Sequence, residues 1–96
     1  MTFDELYAII CDRRDHRKPG SYTNLLLDSG ENEIVKKVGE EAVEVIIAAK
    51  GQGDQRLVEE TADLFYHVLV LLASRHISPE QVMQELARRH QKNGTS

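Results

Sequence analysis

Five acidic residues fall inside apolar stretches where a helix would ordinarily exclude them. Glu40, Glu41 and Glu44 stand in EEAVE, within VGEEAVEVIIAA; Glu60 and Asp63 stand in ETAD, within VEETADLFYHVLVLLA. On a helix, 41 and 44 lie one turn apart on one face, as do 40 and 44, and 60 and 63. Like charges at this spacing repel by about 0.2–0.5 kcal/mol per pair even when exposed. Beside core residues the desolvation cost is larger, so a positive partner is required to offset it. A single E-x-x-E is ordinarily a solvated helix face. Two such clusters, separated only by residues 45–59 and both set in Val/Ile/Leu runs, point instead to a metal or a cationic ligand. Oxygen donors without thiolates or a histidine set suit a hard cation, Mg²⁺ first and Mn²⁺ as a possible substitute, ahead of zinc or copper.

The elements that must position these groups are helices. Thr2 and Glu5 form a T-x-x-E capping box, and Phe3, Leu6, Ile9 and Ile10 make the apolar stripe of a first helix running to about Arg14. The following segment holds Pro19, Gly20 and a three-leucine run at 25–27, which reads as loop or a single helical turn. Asp28 or Ser29 is the expected cap of a second helix, from about Gly30 to Lys50. Asp54 is the expected cap of a third, from about Gln55 to Arg75. The third is apolar nearly all round from Leu64 to Ala73, so part of it is expected to meet another subunit. Ser78, Pro79 and Gln81 open a fourth helix, and the polar tail from about 91 is expected to fray. No segment alternates with period two over a useful length. The expectation is an all-α domain over residues 1–96, a small bundle of about four helices completed by dimerisation. Its two long central helices, joined by GQGD, should pack antiparallel. Positions 41 and 63 then lie equally far from the turn, which sets the two acidic clusters level across the groove.

Composition narrows the setting. A formal net charge of −4 and a pI near 5.5 argue against general nucleic-acid binding. The one cysteine, Cys11, excludes an internal disulfide and fits a reducing compartment. MTFDELYAII lacks a basic leader and a long apolar core, and no apolar run approaches the roughly 20 residues that span a bilayer. A soluble, cytoplasmic chain with no membrane partner is expected.

E-E-x-x-E followed by E-x-x-D on the next helix resembles the all-α nucleoside triphosphate pyrophosphatases, the MazG and all-α dUTPase group. Within that group, GSYTNLLLDSGENEIVKKVGEEAVEVIIAAK, EETADLFYHVLVLLA and the closing ARRH are similar to the phosphoribosyl-ATP pyrophosphohydrolases, from the first helix to about His90. The acidic motif specifies only the superfamily; the SYT loop, IVKKVGEE and ADLFYH narrow it. The resemblance implies Mg²⁺-dependent hydrolysis of phosphoribosyl-ATP to phosphoribosyl-AMP and pyrophosphate, in a dimer or larger homo-oligomer. It implies Glu41, Glu44, Glu60 and Asp63 as metal ligands. Glu40 and Glu41 are the catalytic candidates, with Glu40 either holding a second ion or orienting or deprotonating the attacking water.

Such a reaction asks the protein for charge neutralisation and positioning rather than covalent chemistry. Lys37 is the expected phosphate contact. Lys36 is either a second one or an ordinary ion-pair partner of Glu40. Ser21, Tyr22 and Thr23 offer hydroxyls to phosphate or base. Either Arg88 and Arg89, or the basic stretch Arg13, Arg14, Arg17 and Lys18, is a candidate for the 5′-phosphate of the phosphoribosyl arm. His67, four residues after Asp63, reads as a buried, hydrogen-bonded histidine more readily than as a ligand. The rival readings are a pyrophosphatase of the same superfamily acting on another nucleotide, and a non-catalytic helical dimerisation module with an acidic groove. A di-iron bundle needs two Glu-x-x-His motifs, which this chain lacks.

Overall fold

The computed structural model describes residues 1–93, which form five helices and, among those residues, no strand: α1 (Phe3–Asp15), α2 (Tyr22–Ser29), α3 (Glu31–Gly51), α4 (Asp54–Ser74) and α5 (Pro79–Asn93). The all-α expectation holds, with one helix more than the sequence suggested. α3 and α4 pack most extensively, and α4 also touches α1 and α2. The core is Ile10 of α1, Leu26 of α2, Ile34 of α3 and Leu69, Val70 and Ala73 of α4. α4 is therefore the element every early helix is built around.

α1 starts with the capping box that the sequence indicates. The Glu5 amide donates to Thr2 Oγ1 at 3.1 Å, and the Thr2 amide donates to Glu5 Oε1 at 2.9 Å. Its far end is tied to α4, where Arg14 Nη1 donates to the Ala73 carbonyl at 2.7 Å. α2 is a correction. Three consecutive leucines carry no readable period, yet residues 22–29 are helical because polar side chains specify the start of the helix. Ser21 Oγ accepts the Asn24 amide at 3.2 Å. The buried Asn24 side chain then closes the α1–α2 connection, accepting from the Lys18 amide at 2.9 Å and donating to the Arg13 carbonyl at 2.7 Å. Gly20, at φ +79°, supplies the left-handed residue which that turn needs.

The expected caps of the two long helices are also corrected. Neither has a side-chain cap; each is entered through a glycine with positive φ, Gly30 at +91° and Gly53 at +88°. Asp28 is instead held by the guanidinium of Arg17, and Ser29 Oγ donates back to the Leu26 carbonyl at 2.6 Å. Asp54 is the first helical residue rather than the cap. α5 opens as read, with the Ser78 amide donating to Gln81 Oε1 at 2.9 Å. It packs on α1 and stays helical through Asn93, so the expected fraying does not begin at 91. Residues 94–96 lie outside the described part. No helix among the described residues is long and apolar enough to cross a membrane.

Candidate active site

The α3–α4 hairpin brings the two acidic clusters together. One carboxylate oxygen from each of Glu41, Glu60 and Asp63 lies within 4.8 Å of the others. Two oxygens on one Mg²⁺, each about 2.1 Å from it, lie about 3 Å apart when adjacent and about 4 Å when opposite. A pair at the 4.8 Å limit thus needs to close by nearly 2 Å, about an ångström for each group, to share an ion as neighbours, within the reach of rotamer adjustment. Glu60 is buried, Glu41 half-buried and Asp63 exposed, so the cluster is a wall of the hairpin that opens to solvent on one side. A donor set of three carboxylates with no nitrogen or sulfur fits a hard divalent cation.

The remaining acidic residues stand at the margin. Glu44 is exposed and outside the converging trio, close enough to Arg56 to add to the field on that guanidinium. Glu40 is exposed; its Oε1 lies 3.6 Å from Lys37 Nζ, which is also 3.9 Å from Glu41 Oε1. Lys37 therefore faces the cluster, as its spacing suggested. Lys36 points to solvent and forms no ion pair among the described residues.

The sequence reading passed over Arg56. Its Nη2 donates to Glu60 Oε1 at 2.5 Å, and its Nη1 donates to Glu59 Oε1 at 2.7 Å. The bond to Glu59, with the fields of Glu60 and Glu44, raises the guanidinium pKa; hydrogen bonds from Gln55 and then Arg56 hold Glu59 below the usual carboxylate range. The signal was available: 56 and 60 stand four apart, the spacing that joins Lys37 to Glu41. Each long helix thus carries one cation a turn before its innermost acid.

The SYT segment is fastened to α4 beside the acids. The His67 Nδ1 bond to the Asp63 carbonyl, at 2.7 Å, requires the proton on Nδ1. Nε2 is then the acceptor, and Tyr22 donates its phenol to it at 3.2 Å. His67 is accordingly the buried, satisfied histidine that the sequence favoured, one turn past Asp63. Thr23 is buried, with its hydroxyl bonded to that of Tyr66, whose pKa burial pushes up. Ser21 is engaged as the α2 cap. Of the three, Tyr22 offers a free face, lining an open depression of about 560 Å³ with Arg17, Lys18 and Ser21. Arg88 and Arg89 lie on α5 and both grip Glu85, at 2.6–3.0 Å, holding that carboxyl near a pKa of about 2. No ion pair joins either arginine to the acidic cluster among the described residues.

A family profile described as "Phosphoribosyl-ATP pyrophosphohydrolase" matches residues 3–90. A protein of Pelotomaculum thermopropionicum named phosphoribosyl-ATP pyrophosphatase is 56% identical, covering 92% of this chain and 90% of the relative. One of Lactiplantibacillus plantarum with the same name is 55% identical, over 96% and 87%. One of Sulfurisphaera tokodaii, likewise named, is 51% identical, over 92% and 94%. With nearly the whole chain matched in both directions, the protein belongs to the phosphoribosyl-ATP pyrophosphohydrolase family.

Proposed function

We infer that the chain hydrolyses phosphoribosyl-ATP to phosphoribosyl-AMP and pyrophosphate, the second step of histidine biosynthesis. The observation that carries this is the convergence of Glu41, Glu60 and Asp63 within 4.8 Å in a chain more than half identical to named phosphoribosyl-ATP pyrophosphatases. Mg²⁺, or Mn²⁺, held by these three with Glu44 at the margin would neutralise the triphosphate and make bound water acidic enough to attack. Around it the protein's own groups have separable tasks. Glu40, exposed and paired with Lys37, orients the attacking water or accepts its proton, and Glu41 shares that duty from the ligand side. Lys37, held only loosely at 3.6–3.9 Å, turns toward the phosphates when they arrive. Tyr22 presents its ring to the base or sugar while its hydroxyl stays on His67. Ser21 and Thr23 hold that loop rather than the substrate. Lys36, Arg88 and Arg89 are left out of the proposed contacts.

A second copy of the chain completes the fold in this reading. Val43, Ile46 and Ile47 of α3 and Val58 of α4 are all substantially exposed, more apolar surface than a lone helical hairpin leaves to water. A biosynthetic reaction on a free nucleotide is work for a cytoplasmic dimer.

The test is pyrophosphate release from phosphoribosyl-ATP with Mg²⁺, beside ATP, dUTP and dCTP. Selective release from phosphoribosyl-ATP, abolished by chelator, is expected. Release from the common nucleotides alone would retain the metal site and discard the substrate. No release from any would favour the non-catalytic helical module.

A further inference from the structure

Arg56 belongs to the acidic cluster, and its role there rests on the metal-site reading above. Glu60 is the most buried of the three converging carboxylates, and the cation that touches it is the Arg56 guanidinium, 2.5 Å from Oε1. The other cation at the site, Lys37, stays at 3.6–3.9 Å from its acids. Arg56 is therefore already the counter-charge of the innermost ligand. A divalent ion drawn to Glu41, Glu60 and Asp63 would meet a like charge held against the oxygens it needs, in surroundings where screening by water is partial. The same side chain has somewhere else to go. It is about half exposed, and its second contact is Glu59, an exposed carboxylate one turn from it and outside the trio.

We propose that Arg56 is a competing counter-cation that sets the metal affinity of the site: it neutralises Glu60 until a divalent ion displaces it onto Glu59 at the rim. It acts through Glu60 and is a positioning residue. Two opposite consequences follow from one substitution. Without Arg56 the three carboxylates repel one another uncompensated, so the protein is less stable in chelator. The same loss removes the competitor, so a divalent ion binds more tightly. An arginine that served only as a structural partner would give the first effect with unchanged or weakened metal binding.

The experiment measures Mn²⁺ binding to the intact chain by electron paramagnetic resonance, with no nucleotide present, for the wild type, Arg56→Gln and Arg56→Lys. Thermal denaturation in chelator is measured alongside. Arg56→Gln is expected to bind Mn²⁺ about tenfold more tightly, the effect of removing one partly screened like charge, and to melt at lower temperature in chelator. Arg56→Lys, which keeps the charge, is expected to stay within a few-fold of the wild type. Equal or weaker Mn²⁺ binding by Arg56→Gln overturns the proposal while leaving the metal site standing. Absence of Mn²⁺ binding in every protein overturns both, and is distinguishable from a wrong substrate because no nucleotide enters the assay.

Discussion

Replacing Glu60 with glutamine should remove activity without weakening the fold, which is unusual for a buried charge. Glu60 lies within 4.8 Å of acidic oxygens on Glu41 and Asp63. At an effective dielectric of about 20, a like charge at that range repels by about 3.5 kcal/mol, the figure suited to the half-buried Glu41. Asp63 is exposed, and its share falls toward about 1 kcal/mol as the dielectric approaches that of water. Against this stands the attraction of Arg56, half in solvent, worth about 2–7 kcal/mol on the same scale. The opposing contributions nearly cancel, and a glutamine carbonyl still accepts a bond from Arg56. Glu60→Gln is therefore expected to lie within about 1–2 kcal/mol of the wild type in chelator. A buried ion pair of purely structural kind would cost about 3–5 kcal/mol when broken. Two assays decide this. Urea denaturation in chelator and in Mg²⁺ should show the wild type gaining about 2.7 kcal/mol at a hundredfold excess over its dissociation constant, and the variant gaining little. Turnover should fall by about 10²–10³, since a metal contribution of several kcal/mol is lost. A variant destabilised by 3 kcal/mol or more in chelator, or one that keeps its Mg²⁺-dependent turnover, would refute the reasoning.

Three further outcomes are expected. Tyr22→Phe leaves the buried Nε2 of His67 without its donor; the loss should be about 1–3 kcal/mol of stability in urea denaturation, and an unchanged midpoint would mean the bond contributes nothing. Glu85, held near pKa 2 by Arg88 and Arg89 against an ordinary 4.5, contributes stability that is fully present above pH 4.5 and lost as the pH falls toward 2. Glu85→Gln should therefore flatten the fall in melting temperature in that window by lowering the plateau above pH 4.5 toward the acid value, which it should leave nearly unmoved. Ile46→Lys should halve the sedimenting mass with little change in protomer helicity, because Ile46 is 61% exposed; an unchanged mass would exclude this face as the dimer contact. Leu69→Lys cannot serve the same purpose, since Leu69 is buried within the protomer core.

Local signals are legible in the chain to the extent that they involve neighbours in sequence. The capping boxes at Thr2 and Ser78 need only a side chain and an amide three residues away, and both are as read. The two long helices follow from their apolar periodicity and from the glycines that break it. The level placement of residues 41 and 63 follows from equal helical rise on either side of a short turn. The acidic cluster was visible for the same reason: its members are bound to their helices, and the hairpin leaves few ways to arrange them.

What the chain alone left open depended on partners distant in sequence. α2 was hidden because its helicity rests on Asn24 reaching back to Arg13 and Lys18, contacts that no periodicity announces. Asp28 looked like a cap until Arg17, eleven residues earlier, claimed it. The role of Tyr22 and Thr23 could not be assigned while His67 and Tyr66, more than forty residues on, were not known to face them. Arg56 looked like one surface charge among many, because its importance comes from the burial of Glu60, and burial belongs to the packed molecule. Sequence thus determined which residues could bind a cation, since charge and helical spacing are local properties, and its resemblance to a family implied the phosphoanhydride chemistry. Only the tertiary structure decided which oxygens converge, which hydroxyls are already engaged and which cation stands against the innermost acid, because each depends on what excludes water there.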